Sequence, residues 1–338
     1  MPSLLHHLSQ YDATNVVDGA VRHFGDTAEE LQSALKSSAK CPLLSLGLVS
    51  ISGSDAVDFI NGQFTTDCTQ LSAEHSQLSG WCDPKGRILF LFVLYRIGDC
   101  VFVIIPKAHI PKFQSRLKMY ILRADVVVED ASNARSIVGI IGEQAPQDYA
   151  LAGLQQPWGT MQFEDRAVIR YGFGRSRYLV VESEAHCVDR WESLAQHSVG
   201  EDVWTALDAY AGFPRLDEFS QNQFLPQQLN LDQIEGVSFS KGCYPGQEII
   251  ARLKYRGEVK KRLRSFSHNS PNDVIGGTRV LDADHERLSG HVLFSQRIDV
   301  AHCIASAVID VGADILSLSL DGYPNVQLQE LPLPYPSS

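Results

Sequence analysis

The stretch Val49-Ser50-Ile51-Ser52-Gly53-Ser54-Asp55-Ala56 is echoed by Ile137-Val138-Gly139-Ile140-Ile141-Gly142-Glu143-Gln144-Ala145, with the key glycines, 53 and 142, 89 positions apart. Around the first copy, Leu44 to Ile51 reads as a strand that Gly53 ends. Ser54 or Asp55 then caps a helix with Ala56, Phe59, Ile60 and Phe64 on its inner face. Ile88 to Tyr95 is a continuous apolar run, Gly98-Asp99 turns it and Val101 to Ile105 returns, which predicts a buried hairpin. A helix from near Pro111 buries Phe113, Leu117 and Tyr120, and Ala124 to Glu129 supplies one more strand. After the second copy come strands at Ala167 to Tyr171 and Tyr178 to Val181 and a helix from Glu184 to Ala195. Two successive strand-helix-strand-strand-helix units predict a duplicated α+β body of the split βαβ, ferredoxin-like kind. Short strand-glycine-helix strings also recur by chance, so the repeat is an expectation for the structure to test.

From Gly276 onward the pattern changes to short strands at Thr278 to Leu281, Gly290 to Ser295, Ala305 to Val311 and Ile315 to Leu320, separated by Asp, Gly and Ser turns. That predicts an all-β module, with Ala251 to Ser270 as its link to the α+β body. The expected organisation is therefore an extension over 1–40, an α+β region over 41–250 in two lobes (about 41–130 and 131–250), and a β-barrel with a basic linker over 251–338. Ligand sites favour such junctions.

The 338 residues are 44% apolar and 20% charged, which is globular composition. A net charge of −11 argues against broad binding to nucleic acid, which needs a basic surface. The seven cysteines are scattered, without a Cys-x-x-Cys pair, so neither a disulfide framework nor a zinc or cluster site is indicated. The histidines have no metal-ligand spacing, and no Gly-rich phosphate loop is present. No apolar run is long enough to span a membrane, and the first forty residues lack the features of a signal or transit peptide. These observations predict a cytoplasmic protein without a bound metal.

Lys241-Gly242-Cys243-Tyr244-Pro245-Gly246-Gln247-Glu248 sets one thiol in a Gly/Pro-punctuated turn that lifts it out of any regular element. Lys241, Arg252 and Lys254 would favour its thiolate, the reactive species. The alternative is that Cys243 fills a small apolar hole, since free cysteine is among the most buried residue types. Nearby, Arg252, Lys254, Arg256, Lys260, Lys261, Arg262 and Arg264 put seven of the 29 basic residues into thirteen positions. If Gly257 lies in a hairpin turn, Arg252, Lys254 and Arg256 project from one strand face and Lys260, Arg262 and Arg264 from the next. They would form one cationic surface for an anionic partner: a polyglutamyl tail, an acidic protein or RNA phosphate. A solvated face that balances the acidic remainder is the other reading.

The octapeptide resembles the signature of the YgfZ family, folate-binding relatives of the glycine-cleavage T protein that support iron-sulfur enzymes. The blocks Gly212-Phe213-Pro214, Phe224-Leu225-Pro226-Gln227, Asn230-Leu231 and Val237-Ser238-Phe239 agree, as do Ser52-Gly53-Ser54-Asp55-Ala56, Asn61-Gly62-Gln63, Asp83-Pro84-Lys85-Gly86-Arg87 and Leu331-Pro332-Leu333-Pro334-Tyr335. The resemblance runs from about Leu44 to the C-terminus. It implies an aminomethyltransferase-like fold, a reduced folate such as tetrahydrofolate as cofactor, and Cys243 as the working residue. Lys241, Gly242, Tyr244, Gly246, Gln247 and Glu248 are then the supporting signature. It also implies that Trp204, on a helix with Leu207 and Tyr210, lines the folate site; by itself a tryptophan at that spacing is more often core. A second aromatic of the relatives is Leu46 here, a departure that would weaken stacking.

T-protein aminomethyltransferases carry an aspartate just after the Lys-Gly turn, where this chain has Leu91, and leucine transfers no proton. Their pterin-contacting Gly-Glu element is not matched by Gly172-Phe173-Gly174-Arg175. Glycine-cleavage chemistry is therefore not expected, and whether the chain is an enzyme stays open. The expected function is a folate-binding accessory protein for synthesis or repair of iron-sulfur enzymes, including those that modify tRNA. Its expected partners are those enzymes or cluster-assembly proteins, with neither a membrane nor direct nucleic-acid binding. Cys243 would attack an oxidised sulfur species or transiently hold iron. The other reading is a folate-dependent one-carbon transferase or demethylase.

Overall fold

A computed structural model describes residues 3–11, 14–142, 154–163, 166–282, 287–323 and 325–336. In chain order, α1 (Leu4–Leu8) precedes a hairpin of β1 (Asn15–Val17) and β2 (Ala20–His23), then α2 (Thr27–Lys36) and β3 (Ala39–Pro42). The first repeat comprises β4 (Leu46–Ser52), α3 (Ala56–Asn61), β5 (Gln77–Cys82), β6 (Ile88–Ile97), β7 (Cys100–Pro106), α4 (Ile110–Lys118) and β8 (Val127–Asp130). The second has β9 (Arg135–Ile141), β10 (Thr160–Phe163), β11 (Arg166–Arg170), β12 (Arg177–Ser183), α5 (Glu184–Ser193) and β13 (His197–Ser198). After α6 (Glu201–Tyr210) and α7 (Gln247–Arg256) come β14 (Lys261–His268), β15 (Arg279–Asp282), β16 (Arg287–Arg297), β17 (Cys303–Asp310), β18 (Leu318–Leu320) and β19 (Leu328–Leu331).

The duplication is visible in the strand orders, β5-β6-β7-β4-β8 in one sheet and β10-β11-β12-β9-β3-β13 in the other. The place that β8 takes beside β4 is taken beside β9 by β3, both antiparallel. Gly53 and Gly142 end β4 and β9 with φ of +115° and +113°, a region closed to most L residues. A Cβ at Gly53 would lie 2.1 Å from the Asp125 carbonyl oxygen, and one at Gly142 2.8 Å from Ser38 Oγ. Asp125 and Ser38 lead into β8 and β3, so both glycines admit the incoming chain at the same place. Glu143, Gln144 and Ala145 of the echo lie outside the described residues.

The chain forms two compact units, one from residues in 1–79 and 92–204, the other from 80–91 and 205–338. In the first unit, α1 inserts Leu4 and Leu8 beside Val138, Ile140, Val180 and Trp191 of the second lobe's core. Lys40 of β3 is buried there and donates to the Trp191 and Leu194 carbonyls at 2.6 and 2.9 Å. The second unit carries an antiparallel six-stranded sheet, β18-β15-β16-β17-β14-β19, over a core that includes Phe266, Val280, Val292, Ile309 and Leu320.

Three local expectations change. The hairpin around Gly257 is replaced by a helix and a strand: Arg252, Lys254 and Arg256 lie on α7, and Arg262 and Arg264 on β14. Ile250 and half-buried Leu253, three apart, face inward, and that helical period outweighs the alternation of cations. Tyr120 falls beyond α4 and is exposed, while Phe113 and Leu117 are buried as expected. Ile315 to Ser317 forms a 3-10 turn, so only Leu318 to Leu320 is strand.

Candidate functional site

The thiol loop lies in the second unit and is built on a backbone interlock. Asp83 Oδ1 accepts hydrogen bonds from the Lys85 and Arg87 N–H groups at 2.8 and 2.9 Å, which folds the Asp-Pro-Lys-Gly-Arg turn. Gly86 at its tip has φ +78°, and Gly246, the N-cap of α7, has φ +81°. A Cβ on Gly246 would sit 2.4 Å from Gly86 Cα. Only two bare glycines let these backbones meet. Gln227 Nε2 then holds the Ile250 carbonyl at 2.7 Å and anchors the first turn of α7.

Ahead of Gly246, Tyr244 turns inward, and its hydroxyl is a buried atom with no hydrogen-bond partner among the described residues. Burial and the neighbouring Cys82 push its phenol above the usual range. Lys241 is buried too, with its ammonium 5.1 Å from the Tyr244 ring centroid. Lys254 lies 5.3 Å from the Phe239 ring. Of the two lysines expected to favour a thiolate, each therefore faces an aromatic ring.

Cys243 is exposed, whereas Cys41, Cys68, Cys82, Cys187 and Cys303 are buried and Cys100 is half-buried. Burial pushes the Cys187 thiol up to about 12 and raises Cys82, Cys100 and Cys303, which keeps those groups protonated. The loop thus presents one accessible sulfur among seven. Gly242 is exposed beside it, and Gln247 Nε2 donates to the Lys241 carbonyl at 3.4 Å. Glu248 points to solvent from the first turn of α7.

The basic segment divides in two. On β14, Lys261 pairs with Asp310 at 3.0 Å, Arg262 with Asp232 at 2.6 Å and Arg264 with Glu330 at 2.5 Å. Arg262 is only 12% exposed and also donates to the Gln227 carbonyl at 2.8 Å. Arg252, Lys254, Arg256 and Lys260 are exposed. The six cations singled out in the sequence do not form one surface.

Within the first unit, a cavity of about 220 Å³ is lined by residues that include Leu46, Ile137, Lys107, Arg135, Ser132 and Glu184. Leu46 opens β4, and the preceding Ser45 gives both its N–H and its hydroxyl to Glu201 of α6. One turn along α6, Trp204 is 2% exposed and lies against Gly139, where a Cβ would come within 2.4 Å of the indole. Ile137 and Gly139 share a face of β9. The helix thereby brings Leu46 and Trp204 to one neighbourhood, although only Leu46 lines the cavity.

The indole is enclosed by Tyr171, with ring centroids 5.4 Å apart, and by the buried Arg177 guanidinium at 4.9 Å. Lys107, Arg135 and Arg177 carried no signal in the sequence. Lone cations without period or motif are read as solvated until the fold brings them together.

A family model described as the GCVT N-terminal domain matches residues 9–207. The chain is 31% identical over 300 residues to a "tRNA-modifying protein YgfZ" of Yersinia pestis (strain Pestoides F), covering 85% of this chain and 89% of that one. A protein of the same name from Colwellia psychrerythraea (strain 34H) is 27% identical over 303 residues, with 87% and 92% covered. Among solved structures, the glycine cleavage system aminomethyltransferase T of Bartonella henselae matches with a TM-score of 0.76 at 13% identity, over 97% of this chain and 95% of the other. The fold is thus aminomethyltransferase-like, two α+β lobes followed by a curled β module.

Proposed function

The chain belongs to the YgfZ family, and from that premise we propose that it is an accessory protein for tRNA modification, acting through Cys243 on iron-sulfur enzymes that modify tRNA. The observation that carries this reading is the exposure of one thiol among seven on a loop held by the Gly86–Gly246 interlock. A residue needed only for packing would sit, as Cys41, Cys68, Cys82, Cys187 and Cys303 do, inside the fold. Leu91, where aminomethyltransferases of the T-protein group have their aspartate, is buried in β6 and supports an accessory role over one-carbon transfer.

A reduced folate such as tetrahydrofolate fits the same reading. The cavity beside Leu46 has an apolar wall of Leu43, Leu44, Leu46 and Ile137 and two cations, Lys107 and Arg135, suited to a flat ring and a carboxylate. At about 220 Å³ it lies below the roughly 300–1,000 Å³ of pockets that enclose a drug-sized ligand, so it takes part of a folate. Trp204 backs the wall rather than stacking on the ligand. A bound folate would supply one-carbon or redox chemistry, and this chain's residues would bind and orient it.

Cys243→Ser, expressed in cells lacking the native protein, should accumulate normally and fail to restore iron-sulfur-dependent tRNA modification, read by mass spectrometry of tRNA nucleosides. Full restoration by the serine variant removes Cys243 from the reading. Lys107→Glu should weaken tetrahydrofolate binding in calorimetry by about tenfold, the loss of one charge-assisted contact. Unchanged affinity would place the folate elsewhere.

A further inference from the structure

The helix that follows the thiol loop is held to the fold by one side. Ile250 is buried and Leu253 half-buried, whereas Glu248, Ile249, Arg252, Tyr255 and Arg256 are exposed. At 3.6 residues per turn these five fall within about 120° of one another on the face opposite Ile250. Tyr255 is 68% exposed and Ile249 43%. Along this stretch the chain neutralises its β14 cations with Asp232, Asp310 and Glu330, yet Arg252 and Arg256 have no carboxylate partner among the described residues. In a chain of net charge −11, a face that combines two unpaired arginines with an exposed tyrosine and isoleucine is shaped for something outside the protein. Arginine and tyrosine are the residues that most often anchor protein interfaces.

We propose that the outward face of α7 docks an acidic, amphipathic segment of a partner protein, whose carboxylates pair with Arg252 and Arg256 and whose apolar side chains cover Ile249 and Tyr255. Glu248, one turn before Arg252 on the same face, sets a carboxylate beside the two cations and makes the face a poor match for a polyanion, which is met by a basic patch or stripe. The exposed apolar pair, Ile249 and Tyr255, has no use on a phosphate backbone. A protein segment satisfies both parts of the face. The docked segment would bring its parent protein to the loop that carries Cys243, and that purpose rests on the reading of Cys243 as the working thiol; the docking itself does not.

The test uses the full chain and three probes: a fluorescent amphipathic helical peptide of Glu and Leu, its Lys and Leu counterpart, and bulk tRNA. The Glu peptide should bind, weaken as salt rises, and lose about tenfold or more in affinity with Arg252→Glu/Arg256→Glu. The Lys peptide should bind more weakly than the Glu peptide. If the double reversal unfolds the protein, Arg252→Gln/Arg256→Gln with Tyr255→Ser makes the same test. Equal binding of both peptides, or unchanged affinity in the charge variants, overturns the proposal. Binding of tRNA that the same variants abolish overturns it in favour of RNA. Cys243→Ser should bind the Glu peptide as the parent does. If that variant restores tRNA modification while charge reversal does not, docking stands and the thiol reading falls.

Discussion

His268 shows how far one buried side chain governs stability. On β14 it accepts from the Ser270 N–H at Nδ1, 3.3 Å away, so Nε2 carries the proton and meets Ser295 Oγ at 3.0 Å. Burial, aided by the Arg297 charge, lowers its pKa to about 4 from 6.5. The unfolded chain therefore takes up a proton as pH falls through 6.5, and the native protein only near 4. The contribution of His268 to stability is present above pH 6.5 and is lost progressively between there and 4, by on the order of 3 kcal/mol. His268→Gln should flatten the pH dependence of urea unfolding in that window. An unaltered slope would assign the acid sensitivity to other groups.

At the scale of the element, α7 separates two kinds of arginine. Arg262→Glu puts a second carboxylate against Asp232, which is nearly buried, and should cost about 3–5 kcal/mol. Arg252→Glu on the exposed face should change urea-unfolding stability by less than about 0.5 kcal/mol. Gly246→Ala forces a Cβ into Gly86 at a positive φ and should cost about 1–3 kcal/mol. It should also change the alkylation rate of Cys243, and an unchanged rate would uncouple the interlock from the thiol.

These elements also mark what the sequence discloses. The hairpin of β6 and β7 was legible because its apolar runs are long and a Gly-Asp turn divides them, and the thiol turn because Gly and Pro punctuate it. Arg252, Lys254 and Arg256 mislead by alternating, since the helical period that opposes them rests on two residues alone, Ile250 and half-buried Leu253. The cavity was illegible because Leu46, Lys107, Arg135 and Glu184 meet only after two lobes have folded. Ala39–Pro42 was hidden as a strand: four residues, one a lysine and one a proline, carry almost no β signal.

Across the whole molecule, the N-terminal segment is a structural part of the second lobe. Beyond β3, Glu30 Oε2 accepts from the Gly200 N–H at 2.8 Å, and the Leu4 N–H reaches Glu184 at 2.9 Å. Deleting residues 1–42 should strip hydrogen-exchange protection from the β9 amides that face β3, Gly139 and Ile141, and leave that of Leu263–Phe266 on β14 in place. Retained protection in β9 would show that β3 is dispensable. The order of synthesis gives the same feature a temporal meaning. On the ribosome β3 emerges more than ninety residues before β9, the strand it pairs with. At elongation rates of roughly 5–20 residues per second, that leaves β3 without its partner for about 5–20 s. The four-residue strand with a lysine and a proline, so poor a β-former by itself, is well suited to that wait, because a short charged edge offers little for another nascent chain to pair with.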